Sequence, residues 1–126
     1  MIVTEDWRDV EFHDAMVRAV VWSGDRVFFD LEHLCLLSGH PMNTTGEPVY
    51  LDKACLVFDH PTSVSARSYS SKAGTWQDLD RPYPHMLYIS EVVIEDATTW
   101  KISGFDERGV WLEWVIRVGD GVRLDI

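Results

Sequence analysis

A chain of 126 residues, 46% hydrophobic and carrying six Trp, reads as one packed domain rather than a disordered tract. At this length it buries about two thirds of its unfolded surface, so it needs no metal or disulfide to fold. The net charge of −10, without any Lys/Arg cluster, argues against nucleic-acid binding, and no apolar run reaches the ~20 residues of a membrane span.

Residues 1–12 are mixed and acidic. Thr4 is placed to cap a short turn holding Glu5 and Asp6. Neither the basic flank nor the apolar run of a signal peptide is present there, which sets the expectation of a cytoplasmic protein. A first strand is expected over residues 13–22, with Ala15, Val17, Ala19 and Val21 on one face and Met16, Arg18, Val20 and Trp22 on the other. Ser23-Gly24-Asp25 turns the chain into a second strand over 26–37, with Val27, Phe29 and Leu31 sharing a face. Residues 38–48 form a loop, and its Asn43-Thr44-Thr45 sequon has no meaning without secretion. A third strand over 49–58 is apolar on both faces from Ala54 to Phe58, as in a central strand. Cys35 and Cys55 sit in apolar runs and read as buried thiols; with no C-x-x-C pair, structural zinc is not expected.

A short fourth strand is expected over 64–69. Residues 70–84 form the longest irregular stretch, with Trp76, Asp78, Asp80, Arg81 and Tyr83. Strands follow over 85–95 and 98–105, then a turn at 106–109. The last third alternates most regularly. Val110, Leu112, Trp114, Ile116 and Val118 share one parity; Trp111, Glu113, Val115 and Arg117 share the other. Gly119-Asp120-Gly121 reads as a hairpin turn into a last strand ending at Ile126. The expected fold is a single all-β domain over 1–126, an antiparallel β-sandwich or flattened barrel of about eight strands.

Signatures of common catalytic, nucleotide-binding and EF-hand sites are missing, so no catalytic residue, metal or cofactor is assigned. If the strands form a meander, His13, His40 and His85 gather at one end of the sheet with Asp14, Trp76, Asp106 and Glu107, while His60 falls at the other. Imidazoles with carboxylates there would suit a metal, a small ligand or hydrolysis. The plainer account makes His40 and His85 loop residues beside prolines, and His13 a strand-edge hydrogen-bonding group. Trp22 and Trp111, on the wetter parities, together with Trp76, Asp78, Asp80 and Tyr83 of the long loop, are candidate partner contacts. The same Trp residues would equally suit a sandwich covered on both faces.

Phe12-His13-Asp14-Ala15, heading the Val17–Val21 stretch and followed by the hairpin strand Val27–Leu31, resembles the F-H-D-[AS] opening of small β-rich bacterial proteins. These include immunity proteins of polymorphic toxin systems. The resemblance covers the first hairpin and implies a small cytosolic all-β protein, in some cases a neutraliser of a toxin. It carries over no catalytic residue. A non-enzymatic protein-binding or immunity-like module with a basic partner is therefore expected, and the histidine-lined pocket is the alternative. A homodimer is a third possibility, through the edge of the last strand or through Trp111.

Overall fold

The computed structural model describes residues 2–3, 7–81, 83 and 85–126, with only the backbone of Ile2 and Val3. The capped turn expected at Thr4, Glu5 and Asp6, and Pro82 and Pro84 of the long loop, lie outside the described residues. Among these residues the fold is all-β apart from one 3-10 turn at Trp7–Asp9. The strands are β1 (Ile2–Val3), β2 (Val10–Glu11), β3 (Met16–Ser23), β4 (Arg26–Glu32), β5 (Leu34–Leu36), β6 (Val49–Leu51), β7 (Ala54–Asp59), β8 (Ser63–Ser70), β9 (Thr75–Asp78), β10 (Tyr88–Glu95), β11 (Thr99–Phe105), β12 (Trp111–Arg117) and β13 (Gly121–Asp125).

One long antiparallel sheet runs β1-β13-β7-β4-β3-β10-β11-β12-β8-β9, and a small one runs β2-β5-β6. The long sheet folds over on itself. Phe29 on β4 and Trp114 on β12 are four strands apart along it, roughly 19 Å at strand spacing. Their ring centroids are 5.5 Å apart, and those of Phe58 on β7 and Trp100 on β11 are 5.4 Å apart. Two layers therefore face each other, β1-β13-β7-β4-β3 against β10-β11-β12-β8-β9, as in a β-sandwich. The corner is the seam between β3 and β10. It is held by one register pair, Met16 and Tyr88, and by N–H donations from Asp14 to Ile89, Ile89 to Ala15 and Val17 to Leu87. Register shifts flank it, between Val17 and Ala19 and between Ile89 and Glu91. Such irregularities bend a strand and raise its twist, as a corner requires.

More strands form than the eight expected: two expected strands each divide, β1 and β2 form within residues 1–12, and β9 forms inside the 70–84 stretch expected to be irregular, where the chain turns at Gly74 and pairs back on β8. The 26–37 stretch breaks at His33, whose positive φ sends β5 into the small sheet. The 49–58 stretch breaks between β6 and β7, with β6 in the small sheet and β7 in the long one. The small sheet closes one end of the sandwich by burying Val10, Leu34 and Leu36 in the shared core. Asn43 clasps the loop after β5: its amide donates to the Leu36 and Glu47 carbonyls and its Oδ1 accepts from Thr45. The 119–121 turn makes no hairpin. β12 already has β11 and β8 on its two edges, so β13 crosses to the other layer and pairs with β7 and β1. Gly119 allows the crossing, since a side chain there would collide with the His60 carbonyl. The edge of β13 is not bare, because β1 pairs with it at Asp125 and Leu124.

Candidate functional site

The outward face of the β10-β11-β12-β8-β9 layer carries the least expected feature. On β12 the alternation sends Leu112, Trp114 and Ile116 into the core and turns Trp111, Glu113 and Val115 outward. Register then lines up outward residues across the layer. Tyr88 on β10 faces Phe105 on β11, Phe105 faces Trp111 on β12, the β12–β8 register carries Trp111 against Tyr69, and Tyr69 faces Trp76 on β9. An aromatic row thus crosses five strands, roughly 19 Å long. Phe105 and Trp111 meet edge to face at 4.6 Å, and Tyr69 and Trp76 at 5.3 Å. Tyr88, Phe105, Tyr69 and Trp76 remain 42%, 41%, 39% and 37% exposed, and Trp111 is half-buried among them.

The next row is charged. Arg67 Nε and Nη2 both donate to Glu113 Oε1, at 2.9 and 2.8 Å, and its guanidinium lies 4.2 Å from the centre of the Trp76 ring. Asp78 pairs in register with Arg67 from the outer strand, but no ion pair holds it among the described residues. The row is chemically suited to contact rather than catalysis: aromatic area held in fixed geometry, with an acidic group beside it.

The other sequence-derived candidates scatter. Trp22 does not share the outward face. The register shift after Val17 reverses the parity of β3, so Val20 packs on the core and Trp22 lies 6.3 Å from the Trp114 ring. Tyr83 packs edge to face on Trp114 at 4.8 Å, and its hydroxyl reaches the Val64 carbonyl. Asp80 is exposed. Sequence reasoning found Trp111, Trp76 and Asp78 but missed Tyr69, Tyr88 and Phe105. Their outward parity is visible on each strand, whereas their alignment depends on register between strands.

The strands do not form one continuous meander, because the seam and the small sheet reorder them, and the three histidines are each engaged separately. His13 is exposed; its Nδ1–H donates to the Ser90 carbonyl at 2.7 Å, and Asp14 is 3.5 Å from its Nε2. The carbonyl bond first, then Asp14, raise the His13 pKa. His40 is buried, its Nδ1 accepting the Met42 N–H. His85 Nε2–H donates to the Val17 carbonyl. A cleft of about 260 Å³ beside His85 is lined by Asp106, Glu107 and Arg108, with no second imidazole. The Asp106 carboxylate is already occupied by the N–H groups of Arg108 and Val110 and by the Arg108 guanidinium. Among the described residues, no three His, Cys, Asp or Glu side chains are grouped to hold a metal ion. The two thiols are free; Cys35 is buried as expected, Cys55 on the other face of β7 is half-buried, and burial raises the pKa of both, that of Cys55 to about 11.

A larger cleft of about 300 Å³ lies instead by His60, where Trp22, Arg26, Pro61, Thr62 and Arg81 line it. The Arg81 guanidinium stacks 3.8 Å from the Trp22 ring centre, and His60 is held between Asp120 at 2.7 Å and Asp25 at 3.4 Å. No described helix is long and apolar enough to cross a membrane. Comparison with protein-family models, with curated proteins and with solved structures gives no match for this chain.

Proposed function

We propose that this chain is a non-enzymatic protein-binding module whose contact face is the outward face of the β10-β11-β12-β8-β9 layer. The observation that carries the reading is the exposed aromatic row Tyr88–Phe105–Trp111–Tyr69–Trp76. Contiguous exposed aromatic surface is costly to leave in water and marks recognition sites. The ring arrangement favours a protein over a carbohydrate. The two ring pairs in contact, Phe105–Trp111 and Tyr69–Trp76, stand edge to face, so they offer pockets and ridges for side chains rather than a flat platform for sugar rings. Net charge of −10 favours a basic partner through long-range attraction. The resemblance of Phe12-His13-Asp14-Ala15 to the opening of immunity proteins supports a neutraliser of a partner protein as the class of module, acting in the cytoplasm.

The test is a titration. A partner is captured with the tagged chain, identified, purified, and measured by calorimetry against wild type, Phe105→Ala and Trp111→Ala. Each variant is expected to weaken binding by about 2 kcal/mol, roughly 30-fold, as central aromatic contacts do. A partner that binds both variants as tightly as wild type overturns the reading, as does repeated failure to capture any protein.

A further inference from the structure

The aromatic row ends on β9, and among the described residues β9 is an edge. It is the last strand of the long sheet and all four of its residues are exposed. It is short and carries one charge, Asp78, but it has no Lys and no Pro, and its register with β8 is unbroken from Ser70–Thr75 to Arg67–Asp78. Its hydrogen-bond phase is fixed just beyond it, where the Leu79 N–H donates to the Ala66 carbonyl at 2.9 Å. Hydrogen-bonded and non-hydrogen-bonded pairs alternate in an antiparallel ladder. Leu79 and Gln77 therefore bond inward to β8, and the N–H and C=O groups of Trp76 and Asp78 point to the open edge. The side chains of these same two residues lie on the outward face, Trp76 closing the aromatic row and Asp78 closing the charged one.

We propose that the edge of β9 accepts an extended, basic segment of the partner as an added antiparallel strand; this rests on the protein-binding reading above. An added strand exchanges both bonds with Trp76 and both with Asp78, so its residues directly opposite them also point to the outward face. Running antiparallel, it meets Asp78 first. The segment therefore reads basic–any–aromatic from its N-terminal side: a Lys or Arg against Asp78, then an aromatic or large apolar residue against Trp76 that lengthens the row. Asp78 selects the basic residue because Arg67, its neighbour on β8, is already held by Glu113. A second copy of the chain fits poorly. The self-pairing register centred on Gln77 sets Trp76 against the Asp78 of the other copy, twice, and every register brings together two chains that each carry −10.

The probe is a short peptide alternating threonine with lysine and phenylalanine, so that Lys-Thr-Phe recurs. Binding is measured by calorimetry, and amide hydrogen exchange of the protein is followed by nuclear magnetic resonance. Exchange at the Trp76 and Asp78 amides is expected to slow about tenfold on saturation, with the Gln77 amide unchanged, since it is already bonded. Asp78→Lys, on an exposed site that leaves the circular dichroism unchanged, is expected to weaken the peptide about tenfold and to favour a glutamate-bearing counterpart. Unchanged exchange at Trp76 and Asp78, equal affinity for Asp78→Lys, or no binding up to about 1 mM overturns the proposal. So does a rise in the mass of the free protein to that of a dimer that buries the β9 amides. The two readings separate on the captured partner. If Trp111→Ala weakens it and Asp78→Lys does not, the face stands and the edge falls; if neither matters, both fall.

Discussion

Trp114 and Trp111 are three residues apart on one strand and have opposite roles. Trp114 is 2% exposed and touches Phe29, Tyr83 and Trp22, so it joins the two layers. Trp111 rests against Phe105 on the outward face. Trp114→Ala is expected to cost about 3–5 kcal/mol, the usual range for a buried aromatic. Trp111→Ala is expected to cost about 1 kcal/mol, the worth of one edge-to-face pair. Urea midpoints check both, and equal losses would show that the outward face is structural rather than a contact surface. The parity that separates the two indoles was readable in the sequence. The parity of Trp22 was not, because one shifted residue in β3 reverses every side chain after it.

The β11–β12 turn shows how a connection between strands stores its stability in one carboxylate. Asp106 is buried. Its Oδ1 accepts the N–H groups of Arg108 and Val110 at 2.8 and 2.9 Å, and Oδ2 meets the Arg108 guanidinium at 3.2 Å. Burial pushes this carboxyl up, but the backbone bonds and Arg108 outweigh it and hold the pKa below the ordinary value. A lowered folded-state pKa stabilises the fold above the unfolded value of about 3.9, and that stabilisation is lost as pH falls through the folded value. Asp106→Ala is expected to cost about 1–3 kcal/mol at pH 7, because two N–H groups lose their acceptor. The gap to wild type should narrow below about pH 4. Melting temperatures at pH 7 and pH 3 check this, and a constant gap would show that the turn does not depend on the charge. The turn itself was evident from Asp106-Glu107-Arg108-Gly109. Sequence reading placed Asp106 with a histidine cluster, and only the fold shows its oxygens already committed to the backbone.

At the scale of the whole molecule, the small β2-β5-β6 sheet and the sandwich share one core. Leu34 and Leu36 lie in it with Trp100 and Phe58, and the Trp7 ring sits 4.9 Å from that of Trp100. Leu34→Ala is therefore expected to cost about 2–5 kcal/mol and to lower the stability of the entire domain in one transition. Far-UV circular dichroism and tryptophan fluorescence should give the same midpoint; two separated midpoints would mean that the small sheet unfolds alone. The sequence by itself determined the all-β class and the inward faces of β4 and β12. Those depend on alternation within a strand, which is local. The tertiary structure decided which strands are neighbours, where the sheet folds over, and that Tyr88, Phe105, Trp111, Tyr69 and Trp76 form one row. These depend on register between strands, including pairs far apart in the chain such as β12 with β8 and β3 with β10, and on where His33 and the shifted residue in β3 redirect it. Pairing over such distances is set by how the layers close over their shared core, which no stretch of sequence specifies alone.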